Sequence, residues 1–145
     1  MNTGKELVCF LVEDDADDRE IFVLAISNLK KNILCITAQD GVEALEIRRN
    51  DEAFIPDYII LDLKMPRING KQCLAELRKI QRLSDVPIIM YSTSAAPGEV
   101  QEIQEIGASH FFTKPSSLSD FIKILELLLV DKERAAVPKE RSKSF

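Results

Sequence analysis

The chain has 145 residues, the length of one domain, and a domain of that size buries enough surface to fold without a disulfide or metal staple. A hydrophobic fraction of 46% with 30% charged residues excludes wholesale disorder, and 24 acidic against 19 basic residues, a net charge of −5, argue against direct DNA binding. No apolar run approaches the ~18 residues of a membrane span, and the opening Met1-Asn2-Thr3-Gly4-Lys5-Glu6 lacks an apolar leader core, so the chain reads as cytoplasmic, with no membrane insertion.

The first predicted element is the apolar run Leu7-Val8-Cys9-Phe10-Leu11-Val12. Over residues 17–30, Phe22, Ala25, Ile26 and Leu29 recur at spacings of three and four, the stripe of an amphipathic helix. Ile33-Leu34-Cys35-Ile36 is the second strand. After Asp40-Gly41 a short helix over residues 42–49 carries Val42 and Leu45. Tyr58-Ile59-Ile60-Leu61 is the third strand, and residues 69–82 form a helix carrying Cys73, Leu74, Leu77 and Ile80. Gly70, behind Asn69, reads as a turn residue needing positive φ. The fourth strand is Ile88-Ile89-Met90-Tyr91. A helix over residues 99–106 follows, stopped by Gly107. A short strand around Phe111-Phe112 and a helix over residues 118–130, capped by Ser117 or Ser119, complete the pattern.

Five repeats of strand then helix favour an α/β architecture with right-handed crossovers, and they are too few for an eight-stranded barrel. Continuous apolar runs imply strands covered on both faces, as in a parallel sheet. The last helix is more apolar than one face requires, which fits either a partner surface or a longer buried helix. Residues 1–130 form the domain. Residues 131–145, with five basic residues, three acidic residues and Pro138, read as a charged, flexible tail. Cys9, Cys35 and Cys73, an odd number without CxxC spacing, read as buried reduced thiols.

In a parallel sheet all strand C-termini share one edge, and sites form there. At those ends stand Glu13-Asp14-Asp15, Asp62, Ser92-Thr93-Ser94 and Thr113-Lys114-Pro115. Two bare carboxylates about 4 Å apart repel by roughly 4 kcal/mol at an effective dielectric of 20, so the cluster requires neutralisation. Lys114 offsets part of it. The remaining ligands are all oxygen, which points to a hard cation, Mg2+ first, then Mn2+ or Ca2+. One cation, one lysine and one hydroxyl suit the three oxygens of a transferring phosphoryl group, with Asp62 as a candidate nucleophile. No GxxxxGK[ST] phosphate cradle occurs, so the phosphoryl group would come from a molecule other than ATP. Asp15, Asp17 and Asp18 read as acids opening the first helix, with extra ligands of the cation as the alternative. His110, ahead of the fifth strand, reads as an ordinary position.

Five ordered segments carry a resemblance: Phe10-Leu11-Val12-Glu13-Asp14-Asp15; Pro56-Asp57-Tyr58-Ile59-Ile60-Leu61-Asp62-Leu63-Lys64-Met65-Pro66 with Asn69-Gly70; Val86-Pro87-Ile88-Ile89-Met90-Tyr91-Ser92; Gly107-Ala108-Ser109; and Phe112-Thr113-Lys114-Pro115. Together they resemble the receiver domain of two-component response regulators, the stand-alone single-domain kind in particular. The resemblance implies a flavodoxin-like doubly wound sheet of five parallel strands in the order 2-1-3-4-5. It implies Asp62 as phosphoacceptor and Glu13, Asp14, Asp62 and the Lys64 carbonyl around Mg2+ (Mn2+ as substitute). Ser92 becomes the switch hydroxyl and Phe111 the switch aromatic. Lys114 pairs with the phosphoryl group, with a cis peptide before Pro115. Lys64 and Ser94 fall at the two variable positions that set the lifetime of the aspartyl phosphate.

By the same resemblance the partners are a histidine kinase or histidine phosphotransfer protein and a downstream protein effector; a homodimer through the face of the fourth helix, fifth strand and fifth helix is left open. The domain would catalyse only its own phosphorylation and dephosphorylation. Two rivals remain: a phosphatase or hydrolase passing through an aspartyl phosphate, and a phosphorylation-independent binding module. Hydrolases of the first kind place a second Asp two residues after the nucleophile, where this chain has Lys64.

Overall fold

The computed structural model describes residues 6–50 and 53–130, without the side chains of 47–50 and 130. Five strands, β1 (Leu7–Val12), β2 (Ile33–Ala38), β3 (Tyr58–Asp62), β4 (Ile88–Ser92) and β5 (His110–Thr113), form one parallel sheet in the order β2-β1-β3-β4-β5. Between and after them run α1 (Ala16–Ser27), α2 (Gly41–Asn50), α3 (Gly70–Arg78), α4 (Glu99–Ile106) and α5 (Leu118–Leu125). The chain order reverses between β1 and β3, the topological switch point where open α/β sheets place their sites. The tail expected over residues 131–145 lies outside the described residues.

The continuous apolar runs are explained by a core on each face. Phe10, Val12, Ile59, Leu61, Ile88, Met90 and Phe111 meet Leu45, Cys73, Leu74, Leu77 and Ile103 of α2, α3 and α4. The alternate residues Cys9, Leu11, Tyr58, Ile60, Ile89, Tyr91 and Phe112 meet Phe22, Ala25, Ile26, Phe121 and Leu125 of α1 and α5. β2 departs from the expectation of two covered faces. It is an edge strand, paired only with β1, and Leu34 is 45% exposed.

Local chemistry sets the helix ends. Asp15 caps α1 by accepting the Asp18 N–H, and Ser117, rather than Ser119, caps α5 by accepting the Asp120 N–H. Asn69 and Gln72 form a capping box on α3. α3 stops at Arg78, short of the expected residue 82, because the Lys79 and Ile80 amides bond three residues back and the chain tightens into a 3₁₀ turn over Gln81–Leu83. Arg78 then turns inward and donates to the carbonyls of Leu83, Val86 and Gly107, closing the approach to β4. The final helix is α-helical only to Leu125 and continues as a π-helical turn over Glu126–Val130.

Two conformational expectations are corrected. Gly70 does not adopt positive φ; Gly98 and Gly107 do. Gly70 is required instead by proximity, because a Cβ there would lie 2.6 Å from Leu63 Cα and 2.8 Å from Leu63 O. The peptide before Pro115 is trans, and no cis peptide occurs among the described residues; this is the ordinary preference of an X–Pro bond.

Candidate functional site

Four strand ends deliver the site. Glu13 and Asp14 follow β1, Asp62 ends β3, Ser92 ends β4 and Lys114 follows β5. Ladder hydrogen bonds extend past the strands and fix these positions: the Glu13 amide donates to Ala38 O, Leu63 to Tyr91 O and Lys114 to Ser92 O, at 3.1, 2.9 and 2.8 Å. A cavity of about 190 Å³ opens among Glu13, Asp14, Asp62, Lys64, Ser92 and Lys114, with Asp15, Asp18 and Thr93 on its wall. The acids expected together are together: one oxygen each from Glu13, Asp14 and Asp62 lies within 4.8 Å of the others. Glu13 and Asp62 are buried and Asp14 is exposed.

Burial makes this cluster electrically expensive. It is the main cause pushing the Asp62 carboxyl up to about 8, assisted by the hydrogen bond and charge of neighbouring Glu13 and opposed by Lys114 and the Lys64 amide. That amide donates to Asp62 Oδ1 at 3.1 Å. Lys114 Nζ lies 2.8 Å from Asp18, 3.2 Å from Glu13 and 3.6 Å from Asp62. Burial works against its charge, but the three carboxylates outweigh it and hold the ammonium protonated. One ammonium facing these acids leaves a surplus of negative charge. With hard oxygen donors converging on one point, the residues fit a divalent cation such as Mg2+.

The remaining predicted residues fall as follows. Ser92 is buried, and its Oγ accepts the Ser94 amide at 3.4 Å. Phe111, 6% exposed, packs into the α3–α4 core opposite Met90 in the ladder. Lys64 is exposed at the cavity rim. Ser94 is exposed and lies off the cavity wall, which Thr93 occupies instead.

Two neighbours of the acid cluster escaped the sequence reading. Asp18 reads as a helix-opening acid, yet its carboxylate is the nearest partner of Lys114. The available signal was its place one helical turn beyond the cap, on the side facing the strand ends. Tyr91 reads as core, and its ring is core; but its hydroxyl donates to Glu13 Oε1, and Lys114 Nζ sits 4.7 Å above the ring centroid. Only strand register, with Tyr91 opposite Asp62, distinguishes it from the other apolar residues of β4.

Fold and site together define an α/β domain with an acidic pocket at the C-terminal edge of its sheet. The response regulator receiver domain family matches residues 9–126, and the chain belongs to that family. The phosphorylated cyanobacterial phytochrome response regulator RcpA superposes with a TM-score of 0.78 at 28% identity, covering 88% of this chain and 96% of that one. The chemotaxis protein CheY4 of Vibrio cholerae gives 0.71 at 26% identity over 86% and 100%. The protein-glutamate methylesterase/protein-glutamine glutaminase of Pyrococcus abyssi is 35% identical over 142 residues, 94% of this chain, and the chain spans only 37% of that protein's length. Receiver domains are signalling domains of two-component systems, with aspartyl phosphate and Mg2+ typical of the family. Among the described residues no helix is long and apolar enough to cross a membrane.

Proposed function

We propose that this chain is a phosphorylation-driven switch that accepts a phosphoryl group on Asp62 from a phosphohistidine of a histidine kinase or phosphotransfer protein and passes the signal on by protein–protein contact, in the cytoplasm. The observation carrying this reading is the convergence of Glu13, Asp14, Asp62, Ser92 and Lys114 on one cavity.

An Asp62 oxygen attacks phosphorus, the P–N bond of the donor breaks, and its electron pair returns to the imidazole. Glu13, Asp14, Asp62 and the Lys64 carbonyl would hold Mg2+ or Mn2+, which when bound would supply positive charge against the negative charge of the pocket and the incoming phosphoryl group. Lys114 offers its ammonium to the phosphoryl group, and Ser92 turns its hydroxyl toward a phosphoryl oxygen. Phe111 follows into the space that Ser92 leaves, and the α4–β5–α5 face changes its preference for a downstream effector or a second copy of the chain. Lys64, exposed at the cavity rim, governs how long the aspartyl phosphate survives.

Incubation with acetyl phosphate and Mg2+, followed by intact mass, tests the proposal. The expected result is one added phosphoryl group, lost in Asp62→Asn. Turnover of many equivalents indicates a hydrolase, and an unchanged mass indicates a phosphorylation-independent module; either overturns the reading. Lys64 in place of a second Asp disfavours the hydrolase.

A further inference from the structure

The acid at residue 13 is a glutamate, one methylene longer than aspartate, and the extra torsion gives its carboxylate more rotamers to lose on folding. In the fold it has no freedom left. It is wholly buried. Its Oε1 accepts the Tyr91 hydroxyl and lies 3.2 Å from Lys114 Nζ, and its Oε2 accepts the Asp15 amide at 3.1 Å. Tyr91 is itself immobilised. Its ring packs against Phe112 of β5 at 5.4 Å, Phe121 of α5 at 6.2 Å and Phe22 of α1 at 6.3 Å between centroids. The phenol is thus a rigid post, footed in the aromatic core beneath α1 and α5, with its one polar atom on the pocket's buried carboxylate.

We infer that Tyr91 is a positioning residue for the acidic pocket: its hydroxyl fixes Glu13 in the one rotamer from which the glutamate serves the cation, and this contact is what allows a glutamate to stand at residue 13. The inference rests on the reading of the pocket as a divalent-cation site. It assigns Tyr91 no contact with substrate or cation. The ring contributes separately, by giving Lys114 an aromatic face at 4.7 Å, so the hydroxyl alone must be removed to isolate its role.

A double-mutant cycle does this. Mn2+ binding is followed by loss of the free-ion electron paramagnetic resonance signal in wild type, Tyr91→Phe, Glu13→Asp and the double variant, with metal-free thermal melts of all four. The hydroxyl of Tyr91→Phe is lost while the ring and its packing are kept. Losing a hydrogen bond to a charged group predicts binding weaker by about ten- to a hundredfold. In the Glu13→Asp background, where the shortened carboxylate stands out of the phenol's reach, the same substitution should change binding less than about twofold.

Equal losses in both backgrounds, or none in either, overturn the inference and leave Tyr91 a packing residue. If Tyr91→Phe lowers the metal-free melting temperature enough to unfold part of the sample, all four proteins are compared at a temperature below the onset of the least stable one's melt, where the same non-additivity is required. Failure of wild type to bind Mn2+ overturns the cation reading itself, an outcome distinct from equal binding by wild type and Tyr91→Phe.

Discussion

The carboxyl of Asp62 couples the fold to pH. In the unfolded chain it titrates near 3.8 and in the fold near 8, raised chiefly by burial. Between those values the native state keeps a proton that the unfolded chain has released, so metal-free stability falls as pH rises from about 4 to about 8, by at most ~1.4 kcal/mol per pH unit. Urea unfolding in a chelator at pH 5 and pH 8 should show this loss in wild type and a much smaller one in Asp62→Asn, and parallel pH profiles would contradict it. Lys64 offers a second test at this scale. Its amide holds Asp62 while its side chain stands exposed at the rim, so Lys64→Ala keeps the backbone donor and removes only the ammonium. The aspartyl phosphate should then hydrolyse several-fold faster in a mass time course, and an unchanged rate removes Lys64 as a lifetime determinant. Glu13, Asp14, Asp62, Ser92 and Lys114 were legible in the sequence because each directly ends or follows an apolar run, and parallel topology gathers such ends. Asp18 and Tyr91 were not, because their roles depend on which side of a helix or strand they occupy, and a run that is apolar throughout gives no marker of side.

Among the elements, the start of α3 is the most tightly constrained part of the site. Its first residue, Gly70, lies against the backbone of Leu63, directly after the phosphoacceptor candidate. Gly70→Ala should cost about 1–3 kcal/mol by overpacking and also reduce labelling by acetyl phosphate, since relief requires moving the backbone beside Asp62. Gly98→Ala should behave differently: φ is +83° and no atom lies within 4 Å of a Cβ. It should cost about 1 kcal/mol of backbone strain and leave labelling intact. Denaturation midpoints and intact mass compare the two, and equal labelling would contradict the assignment. The sequence marks that a glycine is needed at 70, but a turn and a close approach leave the same mark until the neighbouring strand is placed. Likewise the apolar spacing through Ile80 predicts a longer α3; the helix ends instead where the Lys79 and Ile80 amides bond three residues back, beside an Arg78 that reaches the Leu83, Val86 and Gly107 carbonyls.

At the scale of the molecule, one sheet separates two cores, and the pocket sits at the edge where both end. Ser92 and Phe111 belong to the side of α3 and α4, whereas Tyr91 and Phe112 belong to the side of α1 and α5. The alternation of strand and helix made the α/β class readable. The strand order came from the family resemblance, since apolar runs carry no record of their neighbours, and the open edge at β2 was invisible for that reason. If the α4–β5–α5 face pairs with a second copy, light scattering should show monomer without and dimer with beryllofluoride and Mg2+, with Asp62→Asn monomeric in both; dimers in both states, or in neither, would exclude phosphorylation-dependent pairing.

The phenol bound to Glu13 also gives the protein a built-in optical reporter. The chain has no tryptophan and two tyrosines. The second, Tyr58, donates to the Leu129 carbonyl at 3.2 Å, on the inner strand β3. Excited beyond the absorption of its seven phenylalanines, the protein emits in the near ultraviolet from the two tyrosine rings, and Tyr91→Phe removes the one that touches the pocket. A change of emission on adding Mg2+ that Tyr91→Phe abolishes would report occupancy of that pocket in unlabelled protein, without a dye.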